Sequence, residues 1–380
     1  MRWEKVKLGN IAEFSNGVNF DKSAYAPGVK LISVSNFGNR FYPDYSELPE
    51  ISADVVKEND YLQHGDIVFV RSNGNKELVG RCMLIDNPPT HTTYSGFCIR
   101  ARVKDTKRFN PKFLTYHFKH DGFRIAIAGN AVGANIQNLS QGRLSAYIAH
   151  IPPIETQRRI ADILSAYDDL IENNRKQIKL LEEAAQRLYK EWFVDLRFPG
   201  HEHTRIVDGV PEGWEKKQLS DIVEVKYGKD HKSIPDGNVP VYGSGGLMRK
   251  CNQMLYKGES VLIPRKGSLN NIIYVDEAFW TVDTMFYTKM KWPNIGVFIY
   301  YFIKSFDMYA MNIGAAVPSM TTNTLNSINV IIPSYEILKN FQSTTKVYFR
   351  KIELLKRQIE MAAQARDRLL PKLMSGEVEE

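Results

Sequence analysis

The chain has 380 residues, which is more than one ordinary hydrophobic core requires and fits two domains. Hydrophobic residues make up 43% of it and aromatic residues 11%, so disordered and fibrous proteins are excluded. The formal net charge of +7 permits nucleic acid as a partner without requiring it.

The cysteines and the apolar segments indicate a cytoplasmic protein. Cys82, Cys98 and Cys251 lie far apart and no CxxC pair occurs, so neither a zinc knuckle nor a disulfide framework is expected. The first residues, MRWEK, form no apolar signal segment, and apolar runs such as 297–303 are too short to span a bilayer. We therefore expect no membrane association.

A motif at the start of the chain occurs twice. WEKVKLGNIAEFSNG at 3–17 matches WEKKQLSDIVEVKYG at 214–228, an offset of 211 residues. Later matches have an offset of 193 at Gly65 and 181 from Gly133 to the C-terminus, so one unit is duplicated and its second copy is shorter only in the front part. A front part that varies and a back part of fixed length indicate the same task performed on two different targets.

The front part of each copy is predicted to be a mixed α/β head of the α+β class. Buried strands introduced by turns are predicted at 65–71 and 258–265, and aromatic-rich helices at 112–128 and 295–312. Both helices are expected to end near glycine, at Gly129 and Gly314.

The loops of each head carry the side chains that DNA-binding proteins use. Arg and Lys suit guanine edges and phosphates, and amides suit adenine and backbone oxygens. Ordinary solvated turns are the alternative interpretation of the same residues. The candidate DNA-binding residues are Arg71, Ser72, Asn73, Asn75, Lys76, Arg81, Asn130, Asn135, Gln137, Arg249, Arg265, Lys266, Ser268 and Asn270.

The back part of each copy is predicted to be a long coiled-coil helix, because apolar residues recur in alternating steps of four and three. Asn174 is a polar seam position of the kind that fixes alignment, and Thr345 and Arg366 depart from the apolar pattern. The predicted seam residues are Ile160, Leu164, Ile171, Asn174, Ile178, Leu181, Leu188, Ile352, Leu355, Ile359 and Leu369.

Charge favours pairing of these two helices with each other over pairing with a foreign helix. Residues 155–191 contain seven Lys or Arg and eight Asp or Glu, whereas residues 336–372 contain nine and four. An antiparallel pair would give the molecule an internal pseudo-two-fold repeat. We expect a first target recognition domain at 1–152, a helical spacer at 153–198, a second target recognition domain at 199–333 and a second spacer at 334–380.

The chain resembles the specificity subunit of type I restriction-modification systems over essentially its whole length. RSNGNKELVG at 71–80 resembles the strand-loop motif of that family's target recognition domain, and IPPIETQRRI at 151–160 resembles the start of its helix. EWFVDLRFPG at 191–200, followed by PEGW at 211–214, resembles its junction between halves. The second copy departs from the pattern at 333–339, where PSYEILK lacks the glutamine and the arginines.

The resemblance implies that each head recognises one half of an asymmetric, split sequence in double-stranded DNA, and that the helices set the gap. It implies no catalysis and no cofactor in this chain. Two modification subunits would use S-adenosylmethionine to methylate adenine, and restriction subunits, where present, would use ATP and Mg²⁺.

Enzymatic interpretations of the chain itself are weaker. The sequence DNPPT at 86–90 resembles an adenine methyltransferase loop, but Thr90 replaces the stacking aromatic residue and no glycine-rich cofactor turn precedes it. His201 and His203 lack further metal ligands nearby, and no phosphate-binding loop occurs. The remaining alternative is a two-headed coiled-coil scaffold that binds DNA or protein without a modification partner.

Overall fold

The computed structural model describes residues 3–72, 78–89, 91–128, 138–310 and 319–376. They form two compact units, one comprising Met1–Asn174 with Arg357–Glu380 and the other comprising Arg175–Lys356. Each unit contains one mixed α/β head and a part of each of two long helices.

The head of the first unit is built on a four-stranded sheet of order β2-β8-β5-β6, beside a three-stranded sheet of order β4-β3-β7 and the pair β1-β9. Its strands are β1 (Glu4–Lys7), β2 (Ala12–Asn16), β3 (Tyr25–Ile32), β4 (Glu50–Ile51), β5 (Ile67–Val70), β6 (Cys82–Leu84), β7 (Thr92–Tyr94), β8 (Cys98–Val103) and β9 (Ile148–Ile151). Its helices are α1 (Leu8–Ile11), α2 (Pro111–Lys119), α3 (Asp121–Ala128), α4 (Gln141–Ala146) and the first part of α5 (Ile154–Tyr189).

The head of the second unit is built on a six-stranded sheet of order β13-β18-β16-β17-β14-β15, with the separate pairs β12-β19 and β10-β11. Its strands are β10 (Ile206–Val207), β11 (Val210–Pro211), β12 (Glu215–Gln218), β13 (Val223–Tyr227), β14 (Asp236–Gly243), β15 (Gly246–Cys251), β16 (Tyr256–Pro264), β17 (Ile273–Thr281), β18 (Met285–Met290) and β19 (Asn329–Ile332). Its helices are α6 (Leu219–Ile222), α7 (Gly296–Lys304), α8 (Thr322–Asn326) and the first part of α9 (Tyr335–Ser375).

The repeated motif forms the same strand–helix–strand element in both heads. It gives β1-α1-β2 in the first head and β12-α6-β13 in the second. Leu8 and Leu219 are both fully buried in the short helix, and so are Ile11 and Ile222. The second strand of the motif pairs antiparallel with β8 in one head and with β18 in the other. The apolar residues of the motif therefore recur at the same spacing because they fill equivalent positions in the two hydrophobic cores.

Three predicted elements differ from the structure. The helix predicted at 112–128 is two helices, because His120 between them has an extended backbone and its carbonyl accepts from Phe123 N at 3.1 Å. The helix predicted at 295–312 ends at Lys304. The strand predicted to begin at Gly258 begins at Tyr256 instead, so that Gly258 pairs with Glu277 inside β16, with a positive φ of 128°.

Proline precedes both long helices, as predicted: α5 begins directly after Pro153, and α9 begins two residues after Pro333, because proline ends the preceding strands β9 and β19. In the first unit the two helical parts run antiparallel. Asp168 contacts Arg366, and Asn174 Nδ2 donates to Gln358 Oε1 at 3.2 Å. Among the predicted seam residues, Ile160, Leu164, Ile171, Asn174, Ile352 and Leu355 are buried, whereas Ile178, Leu181, Leu188, Ile359 and Leu369 are partly buried.

The two seam positions that depart from the apolar pattern are also buried. Arg366 forms an ion pair with Asp168, whose other oxygen accepts from Tyr116 Oη at 2.6 Å. Burial, together with the adjacent Asp168 charge, raises the pKa of Tyr116. Thr345 turns its hydroxyl back to Phe341 O at 2.8 Å. Polar groups at these positions are thus satisfied inside the helix packing.

Candidate nucleic-acid interface

A junction of three chain segments lies at the end of the central strand β5 in the first head. The backbone N–H groups of Arg71 and Ser72 both donate to Phe97 O, at 2.8 and 3.3 Å. Arg71 Nη1 donates to Gly96 O at 3.2 Å, and Arg71 O accepts from Leu139 N at 2.8 Å. The segment after β5, the turn before β8 and the segment before α4 are therefore joined through Arg71.

The second head has the same junction at the end of β16. The N–H groups of Arg265 and Lys266 both donate to Thr284 O, at 2.8 and 3.2 Å. Arg265 Nη1 donates to Asp283 O at 3.4 Å, and Arg265 O accepts from Met320 N at 2.9 Å. We call these arrangements the first and second three-loop junctions, comprising residues 71–72, 96–97 and 138–139, and residues 265–266, 283–284 and 319–320.

A single β-bridge completes each junction at the same place. Ser72 bridges Asn138 in the first head, and Lys266 bridges Ser319 in the second. Both junctions thus use one arginine in the same backbone pattern, although their other side chains differ. The two heads present their loops on equivalent frameworks that carry different chemical groups.

The glycine that ends each repeated motif packs against this turn. An added Cβ at Gly17 would lie 2.2 Å from Tyr94 O, and one at Gly228 would lie 2.0 Å from Val282 O. Gly17 N donates to Cys98 O at 3.3 Å, and Gly228 N donates to Met285 O at 2.9 Å. The absence of a side chain lets β2 and β13 approach the turns before β8 and β18.

The loop after β16 combines one buried anchoring residue with exposed polar residues. Leu269 is fully buried, whereas Lys266 and Ser268 are exposed. The Asn270 amide is used within the head, since its Nδ2 donates to Asp307 Oδ1 at 3.3 Å and its Oδ1 accepts from Met308 N at 2.9 Å. Lys266 and Ser268 are thus placed to contact a ligand, whereas Asn270 holds the loop in position.

Arg265 lies against an exposed aromatic ring. Its guanidinium carbon is 5.3 Å from the ring centroid of Tyr227, the last residue of β13, and half of the Tyr227 surface is accessible. Stacking on the ring restricts the guanidinium without neutralising it. A positioned arginine of this kind can bind a phosphate or a guanine edge.

Two other predicted arginines lie in different surroundings. Arg249, on β15, donates from Nε to His231 Nδ1 at 3.1 Å, from Nη1 to Asp236 Oδ1 at 2.9 Å and from Nη2 to Ile234 O at 2.7 Å. This geometry favours a role in holding the loop before β14. The side chain of Arg81 lines a cavity of about 140 Å³ together with Lys119, Arg124 and Arg366.

The remaining candidates lie outside the described residues. They are Asn73, Asn75, Lys76, Asn130, Asn135 and Gln137, which belong to the stretches 73–77 and 129–137. Thr90 of the Pro-Pro turn also lies outside them.

The sequence pattern of a protein family described as "Type I restriction modification DNA specificity domain" matches residues 1–183 and 211–363. The chain belongs to this family. The first matched stretch contains the first head and its three-loop junction, and the second contains the second head from β12 onward with its junction.

Curated relatives in this family extend over nearly the whole chain. The chain is 28% identical to the type I restriction enzyme MjaIX specificity subunit of Methanocaldococcus jannaschii, covering 99% of this chain and 93% of that protein. It is 23% identical to the HindI specificity subunit of Haemophilus influenzae, covering 99% of each. The crystal structure of a type I restriction-modification S subunit from M. genitalium shares the fold, with a TM-score of 0.61 at 18% identity over 98% of this chain and 96% of that one.

Among the described residues, none of the helices is long and apolar enough to cross a membrane. Within the same part of the chain, no cluster of three or more His, Cys, Asp or Glu side chains could hold a metal ion.

Sequence reasoning missed two exposed aromatic residues, one in the first junction and one beside the second. Phe97 is 63% exposed and supplies the carbonyl that closes the first junction, and Tyr227 lies beside Arg265 in the second head. The signal available in the sequence was weak. It consisted of a large apolar residue after Ser95 and Gly96, where a turn would expose it.

Proposed function

We propose that this chain is the DNA specificity subunit of a type I restriction-modification enzyme, in which each head recognises one half of an asymmetric, split site. The observation that carries the proposal is the duplicated three-loop junction. The same hydrogen-bond pattern around Arg71 and Arg265 holds Ser72 and Phe97 in one head and Lys266 and Thr284 in the other. Equivalent frameworks with different side chains suit two half-sites of different sequence.

The chain's part in the reaction is recognition and placement. The exposed Lys266 suits a phosphate, and the arginines suit phosphates or guanine edges, so the heads would fix the register of the complex on the duplex. The long helices, each shared between both units, would set the gap between half-sites.

The chemistry would be supplied by partners in the cytoplasm. Two modification subunits would carry S-adenosylmethionine and methylate adenine, and restriction subunits, where present, would use ATP and Mg²⁺. A two-headed scaffold would need no modification partner, so dependence on these subunits distinguishes the two functions.

Salt-dependent binding of the full chain to duplex DNA tests the proposal. Each phosphate contact contributes about 0.9 to the slope of log affinity against log salt concentration. We expect Lys266→Ala to reduce the magnitude of this slope by about 0.9, the contribution of one phosphate contact. Lys257→Ala is the matched control, because Lys257 is also exposed but lies near the other end of β16. Equal effects of the two variants, or no binding at low salt, would contradict the proposal.

A further inference from the structure

Phe97 combines high exposure with a fixed position. The residue is 63% exposed, yet the turn that carries it is closed by a hydrogen bond of its own and joined to two neighbouring segments. Gly96 N donates to Val18 O at 2.7 Å, Cys98 N donates to Ser95 O at 2.8 Å, and Phe97 O accepts from Arg71 N at 2.8 Å. A single exposed apolar residue is ordinary on a protein surface, but this one is presented rigidly beside polar groups predicted to bind DNA.

The neighbours of Phe97 define what the ring can contact. Arg71, whose guanidinium donates to Gly96 O, and Ser72 lie on the adjacent segment of the same junction. A ligand that reaches these polar groups therefore also meets an apolar ring. On the major-groove edges of DNA the apolar feature is the 5-methyl group of thymine, and phenylalanine is among the side chains that contact it.

The second head lacks this feature at the equivalent place. Thr284 occupies the position of Phe97 and is partly buried. The exposed aromatic residue of that head, Tyr227, lies on a different strand and packs against Arg265. The ring at the turn is thus specific to the first head, as a contact that distinguishes one half-site from the other should be.

We infer that Phe97 is a specificity-determining residue of the first head and that it packs against the methyl group of a thymine in the half-site. The inference rests on the proposed function, since it names one contact of the same interface. It predicts that the complex recognises the methyl group of thymine at one position of the first half-site, and that this recognition depends on the Phe97 ring.

The test uses the full chain with its modification subunits and a duplex that carries the split site whose methylation depends on this chain. Each thymine of the first half-site is replaced in turn by deoxyuridine, which removes only the methyl group. We expect one replacement to weaken binding by about fourfold, the change for one buried methyl group. Phe97→Ala should weaken binding to the natural site and abolish sensitivity to that replacement.

Control variants separate this contact from a general loss of structure. Phe97→Leu keeps an apolar side chain and should retain part of the sensitivity. Thr284→Ala in the second head and Ile148→Ala, another exposed apolar residue, should leave the first half-site response unchanged.

Two outcomes would overturn the inference while leaving the proposed function intact. One is a wild-type complex that selects the split site but responds to none of the deoxyuridine replacements. The other is a Phe97→Ala variant that retains the wild-type response. A wild-type complex that binds the split site no better than a scrambled duplex would overturn the proposed function itself, and the inference with it.

Discussion

At the scale of single residues, Gly17 and Gly228 explain why the same motif ends in glycine in both copies. Either position would place a Cβ within 2.2 Å of a backbone oxygen of the adjoining turn. Gly17→Ala and Gly228→Ala should each destabilise the protein by about 1–3 kcal/mol, because the turn must move or the strand must shift. Thermal unfolding, monitored by circular dichroism, measures this loss of stability.

Gly142 provides the matched control for these variants. It lies in α4, and an added Cβ there meets no atom within 4 Å. Gly142→Ala should be neutral or slightly stabilising, because alanine favours helix by about 1 kcal/mol over glycine. If all three variants unfolded at the same temperature as the wild type, the close approach would not constrain the junctions.

His117 is predicted to make stability depend on pH. Burial, followed by the nearby His120 and His150, lowers its pKa to about 4 from the ordinary 6.5. The folded state therefore binds fewer protons than the unfolded state between these values. Its contribution is complete above pH 6.5 and is lost as the pH falls towards 4, by up to about 3 kcal/mol.

Urea unfolding at several pH values between 7 and 4 measures this dependence. His117→Gln should flatten the curve in that window. A curve of unchanged slope in the His117 variant would assign the effect to other groups.

The positions of some candidate interface residues could be predicted, because the local sequence determines where a strand ends. Arg71 and Arg265 follow strongly apolar strands, so their place at a strand end could be predicted. The partners of Arg249 could not be, because His231 and Asp236 lie on a separate segment that only the folded chain brings close. The exposure of Phe97 likewise depends on how its turn is tied to Arg71 and Val18.

At the scale of elements, the heptad pattern correctly predicted both long helices but misjudged Arg366. A charged residue departs from the apolar pattern, but Arg366 pairs with Asp168 on α5, whose carboxylate also accepts a hydrogen bond from Tyr116 on α2. A pattern within one helix contains no information on such partners. The length of the helix predicted at 112–128 was wrong for a related reason, since the break at His120 follows from backbone conformation.

Removing one member of the buried ion pair should be strongly destabilising. Arg366→Met would leave the Asp168 carboxylate buried without its counterion, at a cost of about 3–5 kcal/mol, whereas Asp168→Leu should cost less, because Arg366 keeps its ion pair with Asp367. The double variant Asp168→Leu with Arg366→Met should recover much of the loss, because two apolar side chains leave no buried charge. Chemical denaturation of the four proteins measures the coupling.

The exposed pair of Arg158 and Glu155 on the same helix is the control. Both side chains are more than half exposed, so Arg158→Ala should change stability by less than about 1 kcal/mol. Equal effects of Arg158→Ala and Arg366→Met would show that burial does not strengthen the pair.

At the scale of the whole molecule, each of the two long helices contributes one part to each unit. Inserting one heptad into both helices, after Asn174 and after Lys356, preserves the contacts within each unit and the phase of the seam. Each insertion adds about 10 Å of helix, which corresponds to about three base pairs of DNA. We therefore expect the gap of the methylated site to lengthen by about three base pairs.

Mapping methylated sites in cells that carry the insertions measures this gap. An insertion in α5 alone is the control, because it breaks the match between the helices and should reduce methylation instead. A complex that methylates the site with an unchanged gap would show that the helices do not set the spacing.

The central claim is that two heads on one chain recognise two different half-sites. The most direct test is a map of N6-methyladenine in host DNA with the gene intact, deleted, or carrying Arg71→Ala or Arg265→Ala, while the modification subunits are expressed. We predict that deletion removes methylation from one split motif with unlike halves, and that each arginine variant changes the bases preferred in one half only. A map unaffected by deletion would contradict the account.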